Sequence, residues 1–106
     1  MARALIKVSP NPKRGEIIEI KTLISHEMET GFRHTNTGAA IARDIITTFV
    51  VTYNGEEIFS AQLFPAIAAN PFITFYTIAK DSGTLEFRWT GDNGYVASEQ
   101  VKIAVA

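Results

Sequence analysis

The residues whose chemistry comes closest to a reaction lie between positions 25 and 34. Ser25 and His26 are neighbours, and on a strand they would point to opposite faces, so they do not form a nucleophile–base pair by themselves. Glu27 and Glu29 could point the same way, but two carboxylates cleave a glycosidic bond only beside a sugar cleft. The sequence contains no P-loop, no G-x-G-x-x-G and no G-x-S-x-G motif. We therefore predict no catalytic residue.

The same stretch contains the one set of residues that could bind a metal. His26, Met28 and His34 offer imidazole and thioether ligands, which suit copper. The sequence has two histidines and no cysteine, which excludes blue-copper sites, thiolate zinc sites, iron–sulfur clusters and disulfides. A His/Met pair without further ligands is more often structural, so no metal and no cofactor are expected. A small copper or iron redox protein remains the alternative.

Strands must position these residues, because the hydrophobic pattern has period two over most of the chain. Leu85, Phe87 and Trp89 alternate with polar residues, so one face of this strand lies in a core. Asn54-Gly55, between two such patterns, predicts a type I′ hairpin turn. Seven strands are predicted, at residues 4–8, 17–24, 45–53, 56–64, 72–79, 84–90 and 95–105.

Seven short strands in 106 residues, with no convincing helix, predict an all-β fold. We expect one domain over residues 1–106, an immunoglobulin-like, two-sheet antiparallel sandwich held together by packing without a disulfide. An immunoglobulin-like fold also carries the mononuclear iron of superoxide reductase. That iron needs four histidines and one cysteine, which this sequence does not supply.

Composition narrows the classes of partner. Ten Lys and Arg against eleven Asp and Glu give a net charge of −1, which argues against nucleic acid and against an anionic membrane surface. No apolar run reaches the roughly 20 residues of a membrane span, and no secretion signal is expected at the N-terminus.

Two connections do not fit an ordinary sandwich. The stretch 26–44 has no periodicity, yet it contains Met28 and Phe32, so it either plugs the end of the sandwich or contacts a partner. The stretch 62–72 is apolar although two prolines interrupt it, so it either caps the core or forms a partner interface. Both alternatives stay open for each stretch.

Four motifs resemble the SoxZ family of bacterial sulfur oxidation, in order along essentially the whole chain. They are His-Glu-Met-Glu-Thr-Gly-Phe at 26–32, Thr-Tyr-Asn-Gly-Glu-Glu at 52–57, Pro-Ala-Ile-Ala-Ala-Asn-Pro-Phe at 65–72 and Gly-Thr-Leu-Glu-Phe-Arg-Trp at 83–89. The third is the most specific, because composition gives no reason to expect it.

This resemblance implies a non-catalytic subunit of the SoxYZ carrier, in which the SoxY subunit holds sulfur intermediates on a cysteine tail. It implies a SoxY-type partner in a heterodimer, transient contacts with periplasmic Sox enzymes, and a periplasmic location reached by export together with SoxY. A stand-alone adhesion-type sandwich is a further alternative. We predict the SoxY contact at Phe64, Pro65, Ile67 and Phe72, and the enzyme contact at His26, Met28, Glu29, Phe32 and Arg33.

Overall fold

The computed structural model describes residues 4–64, 67 and 69–106. These residues form seven strands and one short 3₁₀ turn at Asp92–Gly94. The strands are β1 Ala4–Val8, β2 Ile17–Ile24, β3 Ile46–Tyr53, β4 Glu56–Gln62, β5 Phe72–Ile78, β6 Gly83–Gly91 and β7 Val96–Ile103. No helix in the described part of the chain is long and apolar enough to cross a membrane.

The strands make two antiparallel sheets. One has the order β1-β2-β5 and the other β4-β3-β6-β7. The predicted fold class, an immunoglobulin-like two-sheet sandwich without a disulfide, is confirmed. Strand β4 ends at Gln62, two residues before the predicted end.

Side chains from alternate positions fill the space between the sheets. The aromatic rings of Phe49 and Trp89 stack with centroids 4.9 Å apart. Phe59 of one sheet stacks on Phe75 of the other at 4.4 Å. The contact between Phe59 and Phe75 therefore packs the two sheets together, as expected for a sequence without cysteine.

The tight turn predicted between β3 and β4 is present. Asn54 and Gly55 both have positive φ, 50° and 85°, and Tyr53 pairs directly with Glu56. These are the features of a type I′ turn, which matches the twist of the strands it joins.

The molecule is long for its size. Its principal extents are 59 × 21 × 20 Å. A nine-residue strand spans only about 30 Å. The connection between β2 and β3 is a further extended segment, and it contains the residues predicted to do chemistry.

Candidate functional site

Residues 29–44 form an irregular hairpin, here called the arm. Glu29 and Asp44 exchange two backbone hydrogen bonds of 2.8 Å at its base. Further along, the Ile41 amide donates to the Arg33 carbonyl at 2.9 Å, and the Thr35 amide donates to the Ala39 carbonyl at 2.8 Å. The stretch that shows no periodicity in sequence is therefore ordered by its own backbone pairing.

Met28 and Phe32 have opposite environments. Met28 is 4% exposed, and its Sδ accepts a hydrogen bond from the Ile46 amide at 3.3 Å. Phe32 is 77% exposed. We predicted Met28 as an accessible contact for enzymes, but the structure places it in the core, where it plugs the end of the sandwich. Phe32 lies on the surface and stays a candidate contact.

Two ion pairs fix the arm. The Arg33 Nε donates to both carboxylate oxygens of Glu29, at 3.1 and 3.0 Å, and this hydrogen bonding lowers the pKa of Glu29 and raises that of Arg33. Arg43 forms an ion pair with Asp92, the first residue of the 3₁₀ turn. Its Nε donates at 2.8 Å and a second guanidinium nitrogen donates at 2.9 Å. The Asp92 carboxylate also accepts from the Ile45 amide at 3.2 Å, and these contacts, led by Arg43, lower its pKa.

His26 lies beneath the arm and is held by its neighbours. Its Nδ1 accepts from the Met28 amide at 2.9 Å, and its ring meets Tyr95 edge-on at 4.7 Å. The Tyr95 hydroxyl is buried without a hydrogen-bond partner among the described residues. Burial first, and Asp44 second, raise the pKa of Tyr95.

The described residues contain no group of three or more His, Asp or Glu side chains that could hold a metal. One nitrogen of His26 is already used by the backbone, Met28 is buried, and His34 lies exposed on the arm, where it pairs with Ala40. The structure does not bring the three suggested ligands together as a site.

The connection between β4 and β5, residues 63–71, contributes apolar side chains both to the core and to the surface. Leu63 is buried, and its amide donates to the Thr47 carbonyl at 2.8 Å; Pro71 at the other end is buried as well. Phe64 is 62% exposed, Ile67 is 37% exposed, and Phe72, the first residue of β5, is 61% exposed. The ends of the connection therefore cap the core, whereas three of the four predicted partner contacts are at the surface. The fourth, Pro65, lies outside the described residues.

The connection and the base of the arm are adjacent. The Asn70 amide donates to the His26 carbonyl at 2.6 Å, and the His26 amide donates to the Asn70 Oδ1 at 2.9 Å. An open cleft of about 430 Å³ lies between them, with Ala69 on one side and Glu27, Glu29 and Arg33 on the other. Two surfaces that we predicted for different partners thus share one end of the sandwich.

Leu5 is an exposed apolar residue that sequence reasoning missed. It is 62% exposed and lies on the outer face of β1 beside Lys7. Its position opposite the inward-facing Ala4, Ile6 and Val8 was the available signal, but an apolar run of this length does not show which residue faces outward.

Two solved structures share the fold of this chain. A superoxide reductase (neelaredoxin) from Ignicoccus hospitalis superimposes with a TM-score of 0.75 over 97% of this chain and 80% of that chain, at 15% sequence identity. The sulfur carrier protein SoxY from Chlorobium limicola f thiosulfatophilum superimposes with a TM-score of 0.67 over 97% of this chain and 78% of that chain, at 10% identity. At such identities the likeness concerns the fold alone.

The chain belongs to the SoxZ family. The family model for "Sulphur oxidation protein SoxZ" matches residues 6–102. No curated protein matches the chain by sequence. Family membership supports a role in the sulfur-oxidation carrier system.

Proposed function

We propose that this chain is the non-catalytic subunit of a heterodimeric sulfur-compound carrier, pairing with a SoxY-type subunit whose cysteine holds the sulfur. Membership of the SoxZ family supports the role, and the sequence supplies no cysteine of its own to carry sulfur covalently. The same proposal includes a periplasmic location, reached by export together with the partner.

The observation that carries the proposal is the exposure of three large apolar side chains around one connection. Phe64, Ile67 and Phe72 are exposed at the surface. Leu63 and Pro71, at the two ends of the same connection, are buried. Aromatic and aliphatic side chains of this kind are the usual anchors of an interface. We assign them to the contact with the SoxY-type subunit.

The arm supports a second contact, with the enzymes that act on the carrier. Phe32 offers an exposed aromatic side chain, and Glu29 and Arg33 form a charged pair at its base. Enzymes that share one carrier must release it quickly, which favours a small contact with charges that tune association. His26 and Met28 support this surface from within.

Substitution of Ile67 by Asp tests the main proposal. A carboxylate at this exposed position leaves the free subunit folded, because surface substitutions usually change the free energy of unfolding by less than about 0.5 kcal/mol. Within an apolar interface the same carboxylate is desolvated without a partner, which costs several kcal/mol. We expect at least a tenfold loss of affinity for the SoxY-type subunit, since ~1.4 kcal/mol corresponds to a factor of ten.

The matched control is Ile78→Asp, because Ile78 is 50% exposed at the opposite end of β5 and should not affect binding. Calorimetric titration of each variant with SoxY, together with thermal unfolding of the free subunit, gives the result. If Ile67→Asp unfolds the isolated chain, Ile67 caps the core and the assignment of this interface is wrong.

A further inference from the structure

The outer face of the three-stranded sheet carries an apolar row that crosses all three strands. Leu5 of β1 pairs in register with Leu23 of β2, and Leu23 pairs with Phe72 of β5. Side chains at directly paired positions are neighbours about 4.5–5.5 Å apart. Leu5 and Phe72 are 62% and 61% exposed, and Leu23 lies half-buried between them. We call these three residues the outer strip.

The outer strip lies on the face of the sheet that points away from the chain's own core, so the core does not cover it. Strand β2 turns Ile18, Ile20 and Ile24 inward, where they are fully buried, so Leu23 faces away from the other sheet. A shallow depression of about 240 Å³ lies over the strip. The outer faces of a sandwich normally alternate to polar residues, so an apolar row across three strands marks a contact surface.

The charges beside the strip indicate what kind of molecule covers it. The next row on this face is Lys7 paired with Lys21, and Lys21 has the Glu19 carboxylate 3.5 Å away. In a symmetric dimer whose two-fold axis runs parallel to the strands, the lysines of both copies would meet, which is unfavourable. A different chain, apolar at its centre and carrying carboxylates opposite the lysines, fits the surface better.

The area that a stable interface requires also indicates that the contact extends beyond the connection. A stable specific interface buries about 800 Å² on each partner. The three exposed side chains around the connection are too few to supply this area. Phe72 belongs both to those contacts and to the outer strip, so the two surfaces are continuous.

We propose that the SoxY-type subunit covers the outer strip as well as the connection, with its acidic side chains facing Lys7 and Lys21. This inference rests on the proposed function and adds to it Leu5, Leu23 and two lysines that the sequence did not indicate.

The test compares Leu5→Ser with Ile17→Ser. Ile17 is 68% exposed at the far end of β2, where it pairs with Ile78, so it is a matched loss of exposed apolar surface outside the strip. We expect Leu5→Ser to weaken binding of SoxY at least tenfold and Ile17→Ser to leave the dissociation constant unchanged. Lys7→Glu, which does not touch the apolar packing, should slow association at low salt and lose this effect at high salt.

The outcomes separate the two proposals. If the wild-type chain does not bind SoxY, the proposed function is wrong. If Ile67→Asp weakens binding while Leu5→Ser and Lys7→Glu behave as wild type, the function stands and the outer strip is not part of the interface. If the chain alone forms a dimer that Leu5→Ser abolishes, a second copy covers the strip and this inference is overturned.

Discussion

Two tyrosine hydroxyl groups, one near each end of the sandwich, differ in whether they have hydrogen-bond partners. The Tyr53 hydroxyl donates to the Asp81 carbonyl and accepts from the Lys80 and Asp81 amides, both at 3.2 Å. The Tyr95 hydroxyl is also buried but has no partner among the described residues. A satisfied group stabilises the fold, whereas an unsatisfied group carries its desolvation cost alone.

This contrast gives a prediction with a built-in control. Tyr53→Phe should lower the free energy of unfolding by about 1 kcal/mol, because the amides of Lys80 and Asp81 and the Asp81 carbonyl lose their partner. Tyr95→Phe should leave stability unchanged or increase it, because it removes a group that has no partner. Urea unfolding of the two variants and the wild type measures both effects. Equal losses in the two variants would mean that the Tyr95 hydroxyl is also hydrogen-bonded.

At the scale of elements, the strands could be predicted from the sequence and the arm could not. The strands bury one face, so their side chains alternate, as Leu85, Phe87 and Trp89 show. The arm is held by backbone pairs such as Glu29 with Asp44. Such pairs do not require apolar and polar side chains to alternate, so the sequence shows no periodic pattern there. Met28 was misplaced for a similar reason, since a single apolar residue between two glutamates looks like a surface contact.

The arm's attachment predicts a dependence on pH. The folded-state pKa values of Glu29 and Asp92 lie below the ordinary 4.5 and 3.8, because Arg33 and Arg43 favour their charged forms. Their contribution to stability is therefore full above these ordinary values and is lost as the pH falls through the lower folded-state values. We expect the NMR signal of the Ile41 methyl group to change as the pH falls below about 5 and the arm loosens.

Asp92→Asn should show, already at pH 7, the Ile41 methyl signal that the wild-type chain shows only at low pH, when the arm has loosened. Asp81→Asn is the control, because Asp81 forms an exposed ion pair with Arg14 at 2.8 Å, away from the arm. An arm signal in Asp92→Asn that matches the wild type at every pH would show that Asp92 does not hold the arm.

The arm's proposed contact with enzymes has its own test. Phe32→Ser should leave the fold and SoxY binding intact, since Phe32 is 77% exposed, and should slow thiosulfate-dependent cytochrome reduction in a reconstituted mixture. Met28→Ser is unsuitable here, because truncating a buried methionine costs about 2–5 kcal/mol and would weaken the fold itself.

Full activity of Phe32→Ser with an intact heterodimer would leave the arm without a role in enzyme docking. Loss of the heterodimer would instead assign Phe32 to the SoxY interface. Ile17→Ser serves again as the control for a lost exposed apolar side chain.

At the scale of the whole molecule, three strongly exposed apolar side chains lie at one end of the three-stranded sheet. Phe64, Phe72 and Leu5 are each more than 60% exposed there, and the connection that contributes Phe64 is hydrogen-bonded to the base of the arm through Asn70 and His26. The sequence indicated the connection, because an apolar stretch broken by two prolines is unusual. It could not indicate Leu5, since the register that aligns Leu5 with Leu23 and Phe72 exists only in the folded sheet.

As one half of a heterodimer, this chain must form a stable complex with its SoxY-type partner. Sedimentation velocity of the purified chain mixed with the SoxY subunit of the same organism tests it most directly. We expect a single 1:1 species for the wild-type chain, and two separate components for Ile67→Asp. Two independent boundaries for the mixture with the wild-type chain, at concentrations well above micromolar, would show that the two chains do not form a heterodimer.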